Sequence, residues 1–127
     1  MRIATDTGFR KVLGADPRPP KRVRADTAGW RRLRDEKLHG RSCRVCVALL
    51  ASELHHVCPR GMGGGGGDDV AENLVGLCRG CHRLVEARNP WASTLLGQRL
   101  TDEERAYVEA KRPGYLEQRY GLKEEAA

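Results

Sequence analysis

Apolar residues fall in short clusters along this chain, and their spacing changes character several times. Through residue 24 no apolar period exists: DPRPPKRVR holds three prolines and four cations and reads as poorly ordered. From Thr27, TAGWRRLRDEKL places Trp30, Leu33 and Leu38 on one side of a predicted helix, with arginines filling the others. RSCRVC is a tight knuckle. VALLASELHHV alternates at Val47, Leu49, Leu54 and Val57, which predicts one or two short strands, and CPRGMGGGGGDD is a loop. Asp69 and Glu72 have capping-box spacing for a short turn or helix. LCRGCHRLVEARN predicts a second knuckle running into a helix that ends before Pro90. Thr101 and Glu104 cap a helix over 102–111, stopped by Pro113, and Tyr115, Leu116 and Tyr120 form an apolar tail expected to pack back on the body.

Four of the five cysteines form two pairs, Cys43 with Cys46 and Cys78 with Cys81. Two residues between cysteines let both sulfurs turn toward one metal, and two such knuckles supply the four thiolates of a tetrahedral zinc site. The 31 residues from 47 through 77 exceed usual zinc-ribbon spacing, so something is inserted between the knuckles. Two disulfides or a redox pair are the alternatives, but nothing marks secretion and neither CxxC has a βαβ setting. Cys58 reads as a small buried apolar side chain.

Composition makes the zinc reading more useful. Apolar residues are 39% of the chain and aromatics 5%, against 31% charged, so the core is small and needs other support. Metal binding of this kind is folding energy. No apolar run approaches the roughly 18 residues of a membrane span, and the start lacks a signal-peptide core, which leads to the expectation of a cytoplasmic protein. The net charge of +6 is uneven: residues 1–42 carry twelve Lys/Arg against five Asp/Glu, whereas the rest is close to neutral. A basic N-terminal third suits a polyanion, nucleic acid first, or is simply a solvated arm.

Three histidines, His55, His56 and His82, lie between or beside the knuckles. The order ELHHVCPRGMGG, ENLVGLC, CRGCHRLVE, framed by CxxC at each end, resembles the HNH endonucleases over residues 43–86. The resemblance implies a small α+β fold: a ββα-metal core (43–90) stapled by the four-cysteine zinc site, with flanking helices. The domain would span 27–127, with a basic arm over 1–26. It implies His55 as a ligand of a catalytic divalent ion (Mg²⁺, Mn²⁺, Ni²⁺ or Zn²⁺), His56 as general base, and Asn73 holding the loop and orienting the strand of the base. His82 would be the second ligand, and Glu86 stands where many relatives have another His. Arg60 and Arg83 are candidate phosphate contacts. DNA is the implied substrate, nicked or cut to leave a 5′ phosphate, and such small proteins occur in phage packaging, restriction and mobile elements beside other DNA-processing proteins.

Adjacent strand residues point to opposite faces, so His55 and His56 share a site only where the strand ends, or by approaching it from different sides. A non-catalytic zinc-ribbon module binding nucleic acid or protein is the alternative, and it has no need of a base beside a ligand. The glycine run lacks the strand and GK[ST] ending of a phosphate cradle. Since the knuckles tie both its sides together, it is expected to be a mobile loop between the strand of His56 and the turn of Asn73. Sequence preference and oligomeric state are not encoded in any pattern here.

Overall fold

Strand β1 (Glu53–His56) pairs antiparallel with β2 (Leu74–Leu77), Glu53 opposite Leu77 and His56 opposite Leu74. This is the arrangement in a computed structural model that describes residues 23–60 and 66–122. The expected arm through residue 22, residues 61–65 of the glycine run and the last five residues lie outside that description. β2 is buried along its whole length. Val75 and Leu77 enter the main core, while a Cβ at Gly76 would meet the Lys37 carbonyl oxygen, so the other face lies under the end of a helix.

That helix is α1 (Thr27–Leu38), N-capped by the Asp26 carboxylate on Gly29 N–H. It packs on both strands, and Trp30, Leu33 and Leu38 are half-buried as their spacing predicts, although no residue in it is fully buried. On the other side, α2 (Arg79–Glu86) completes a ββα unit, with Cys78 as its N-cap. The apolar run from Val47 does not become strand. Val47 adopts φ 63° just after the first knuckle, and Val47, Leu49 and Leu50 are exposed.

Three further helices cover the unit. Pro90 closes one helix and opens the next: α3 (Pro90–Gln98) begins with it, capped by Asn89 on Ala92 N–H. Sequence reading saw only the stop. α4 (Asp102–Lys111) has the expected capping box of Thr101 and Glu104. α5 (Tyr115–Tyr120) buries Tyr115, Leu116 and Tyr120 against the core, entered and left through Gly114 and Gly121 in left-handed conformations. The described residues thus hold five α-helices, one 3₁₀ turn (Ala71–Asn73) and a two-stranded sheet. Among the described residues no helix is long and apolar enough to cross a membrane.

Glu104 binds these layers together. Its buried carboxylate accepts both Arg44 guanidinium nitrogens at 2.7 and 3.0 Å and the Thr101 N–H at 2.8 Å, with Lys37 at 3.5 Å. One side chain therefore joins the first knuckle, α1 and α4. Burial alone would raise its carboxyl, but Arg44, the Thr101 amide and Lys37 outweigh this and hold it below the ordinary value. A lowered folded value means the carboxylate stabilises above its unfolded value near 4.5 and stops doing so as pH falls through the folded one. Glu104→Ala is expected to cost roughly 2–3 kcal/mol in urea denaturation at neutral pH, because it strands Arg44 and Lys37. The gap from wild type should narrow below pH 4.5; a gap independent of pH would show that charge is not its origin.

Candidate active site

The knuckles meet at one end of the sheet. Sulfur atoms of Cys43, Cys46, Cys78 and Cys81 all lie within 4.8 Å of one another, and all four are free thiols. Tetrahedral zinc with bonds of about 2.3 Å puts sulfurs roughly 3.8 Å apart, and Cys46 and Cys78 are 3.9 Å apart. Backbone amides point at the sulfurs, Val45 N–H at Cys43 and Cys81 N–H at Cys78. Burial opposes the Cys43 thiolate, yet amides of Cys78, Cys46 and Val45 bring its thiol down to about 6. Cys81 is raised by burial and by the sulfurs around it. Four crowded thiols that cannot all ionise alone suit a divalent cation, and the set fits zinc. Cys58 is buried outside this cluster, as expected.

A second cluster sits between β1 and α2. Nitrogen atoms of His55 and His82 and an oxygen of Glu86 lie within 4.8 Å of one another. Glu53 and His55 share a face of β1 by strand alternation, and that face meets His82 and Glu86, one turn apart on α2. Glu53 accepts the His82 Nδ1 proton at 2.7 Å, and His82 Nε2 lies 3.5 Å from Glu86. His55 Nδ1 is 3.2 Å from the same Glu86 oxygen and has no hydrogen bond although fully buried. Burial lowers the His55 basicity, only partly offset by Glu86. The Glu86 side chain is 62% exposed and carries an ordinary carboxylate charge at neutral pH. A buried imidazole nitrogen without a hydrogen bond, beside a carboxylate and a second imidazole, can take a cation between them, so these residues fit the ion that the HNH resemblance implies.

His56 faces the other way. Its Nε2 donates to Asp69 Oδ1 at 2.8 Å, and its ring meets the edge of Trp30 on α1 at 5.9 Å. Asp69 also accepts Ala25 N–H at 3.0 Å and lies 3.2 Å from Arg60. Burial would raise its carboxyl, but these donors keep it lowered and ionised. Asp69 therefore does not cap the 3₁₀ turn, whose N-cap is Val70 with no side-chain bond. Capping-box spacing was met, but the carboxylate is occupied elsewhere.

Asn73 is fully buried and ties the loop between these groups. Its Oδ1 accepts Cys58 N–H at 2.8 Å, while Nδ2 donates to the Cys58 and Asp68 carbonyls at 2.9 and 3.0 Å. Gly67 N–H reaches the Pro59 carbonyl at 2.9 Å, and a Cβ there would sit 1.9 Å from the Cys58 oxygen. Only glycine fits this neck. Asp68 adds Val23 N–H, the Tyr107 hydroxyl and Lys111. Residues 23–25, inside the expected arm, are thus fastened to 67–69.

His55 and His56, despite their different partners, both line one cleft of about 450 Å³ at the end of β1, together with His82, Glu86, Tyr120 and three arginines, Arg60, Arg88 and Arg119. Arg60 is half-exposed and stacks near Trp30 at 5.8 Å. Arg83 is exposed on α2 and is not among the cleft residues. Sequence reasoning missed Asp69, Glu53, Tyr120, Arg88 and Arg119. Of these only Glu53 carried a signal, its position two residues before His55.

The family model for HNH endonuclease matches residues 43–88, roughly a third of the chain, which hold both knuckles, both strands and α2. Among curated proteins and among solved structures no match to the chain is found. The match supports a nuclease in general.

Asn73→Ala removes three hydrogen bonds and leaves buried backbone groups of Cys58 and Asp68 without them. We expect a cost of about 3 kcal/mol in urea denaturation, with zinc retained at low denaturant. A cost under about 1 kcal/mol would mean that Asn73 does not hold the loop.

Proposed function

We propose, from the premise that residues 43–88 are an HNH endonuclease domain, that the protein hydrolyses DNA phosphodiester bonds with His56 as general base. The observation that carries the reading is one cleft shared by His56, fixed on an ionised Asp69, and by the convergent donors of His55, His82 and Glu86. A divalent ion held by His55, His82 and Glu86 would supply charge neutralisation at a nonbridging phosphate oxygen and the leaving 3′ oxygen. Two imidazoles and a carboxylate suit Mn²⁺, Ni²⁺ or Zn²⁺ intrinsically, with Mg²⁺ favoured by its abundance.

The remaining work falls to the chain. With its Nε2 proton committed to Asp69, His56 keeps Nδ1 to take a proton from water. The water oxygen bonds to phosphorus as the bond to the 3′ oxygen breaks. Asp69 holds the ring and stabilises the imidazolium that forms. Asn73 is a positioning residue, acting through the loop that delivers Asp69. Arg60 and Arg88 at the cleft are suited to phosphate, with Arg83 as an outlying contact. Arg31, Arg32 and Arg34 are exposed on α1 and add positive charge to the same helix as Trp30. Four reduced thiols as a zinc site suit a reducing compartment, the cytoplasm of a cell or of a phage-infected host.

Zinc-loaded protein should nick supercoiled plasmid when Mn²⁺, Mg²⁺ or Ni²⁺ is added, and His56→Ala should slow this by about 10²–10⁴-fold with zinc content unchanged. Full activity in His56→Ala would remove it as the base. Binding without nicking in any metal would instead favour the zinc-ribbon module. Deleting residues 1–22 should weaken DNA binding and flatten its dependence on salt while cleavage persists; an unchanged slope would make that segment a bystander.

A further inference from the structure

The ligand His55 depends on a residue far from the matched segment. Tyr120, at the end of α5, is 2% exposed, and its hydroxyl donates to the Val57 carbonyl at 2.9 Å. A tyrosine hydroxyl has one proton. Its 3.0 Å contact with His55 Nε2 must therefore be one in which the imidazole N–H donates and the hydroxyl oxygen accepts. The imidazole is thus held as the Nε2–H tautomer. Its lone pair is on Nδ1, the nitrogen that faces Glu86 and has no hydrogen bond of its own.

We infer that Tyr120 is a positioning residue for the ion site: through its Val57-anchored hydroxyl it fixes the tautomer and direction of His55, so that α5 completes the metal centre from outside residues 43–88. Glu53 does the matching task for His82, by accepting its Nδ1 proton. Each histidine therefore presents a single lone pair to the position shared with Glu86, which is how a hydrogen bond behind a ligand raises metal affinity.

The seat of Tyr120 is well defined. A Cβ on Gly97 of α3 would lie 3.0 Å from the Tyr120 Cβ, so glycine there lets α5 approach this closely. Arg119 lies over the Tyr120 ring and donates to the Val85 carbonyl at 2.7 Å, beside Glu86. The helix that delivers the hydroxyl is thus tied to the helix that delivers the carboxylate. Tyr115 packs edge-on to Tyr120 at 6.2 Å and supplies a control on the same helix.

The inference rests on His55, His82 and Glu86 being the ion site, and Mn²⁺ tests both, since it does not compete for the four cysteines. Zinc-loaded full-length protein is titrated with Mn²⁺, free Mn²⁺ being read by electron paramagnetic resonance, while ¹⁵N spectra report the imidazole tautomers. Tyr120→Phe should weaken Mn²⁺ binding about 10–100-fold and remove the single-tautomer signature of His55, with zinc content unchanged. Tyr115→Phe should do neither. Equal Mn²⁺ affinity in wild type and Tyr120→Phe, with Mn²⁺ lost in His82→Ala, would overturn the role of Tyr120 alone. Absence of Mn²⁺ binding in wild type, or binding indifferent to His82→Ala, would overturn the ion site and this inference with it.

Discussion

The convergence of four cysteines is the constraint on which the rest of this structure depends. β1 and β2 are four residues each, too short to hold a hairpin across a connection running from Val57 to Asn73. With Cys43 and Cys46 before β1 and Cys78 and Cys81 after β2, the two ends of that segment are brought together at one point. Zinc at a site of this kind contributes about 10–16 kcal/mol to small domains, more than such strands can supply. The second knuckle also starts α2, because the Cys78 sulfur serves as its N-cap. One cluster thus fixes the register of the sheet and the first turn of the helix carrying His82 and Glu86.

Around that frame, polar side chains do much of the joining. Glu104 gathers Arg44, Lys37 and the start of α4, Asn73 ties the two sides of the loop, and Asp68 and Asp69 fasten residues 23–25 to its end. Each is buried with its hydrogen-bonding capacity used, the condition under which a polar interior favours one arrangement. The loop meets the histidine pair through its end. It returns Asp69 to His56 from thirteen residues away, and Asn73 keeps that return in place. Adjacent histidines on one strand consequently have separate surroundings, His55 against α2 and α5, His56 against α1 and the loop.

Features written in local spacing were legible in the sequence: the knuckles, the 102–111 helix with its cap, the apolar side of α1, and the burial of Tyr115, Leu116 and Tyr120. The return of His82 toward the histidine pair also followed from joining the two ends, whereas Glu86 came only from the HNH resemblance. Long-range polar contacts were not legible. Tyr120 is 65 residues from His55, and nothing in GYLEQRYG distinguishes a hydroxyl that holds an imidazole from one that fills a core. Asp69 met a local rule and obeyed a distant one, because Ala25, His56 and Arg60 outcompete the amides of a three-residue turn. Pro90 shows a different failure: the same residue ends one helix and begins another, and only Asn89 as a cap reveals the second role.

We propose two separate metal centres in one short segment, thiolate where the knuckles meet and imidazole–carboxylate between β1 and α2. Diffraction from crystals grown with Mn²⁺, recorded across the zinc and manganese absorption edges, tests it most directly. Zinc alone is expected among the four sulfurs, and manganese alone bonded to His55 Nδ1, His82 Nε2 and Glu86. Manganese bound through other residues, or no density between those three side chains in crystals soaked to saturation, would contradict it.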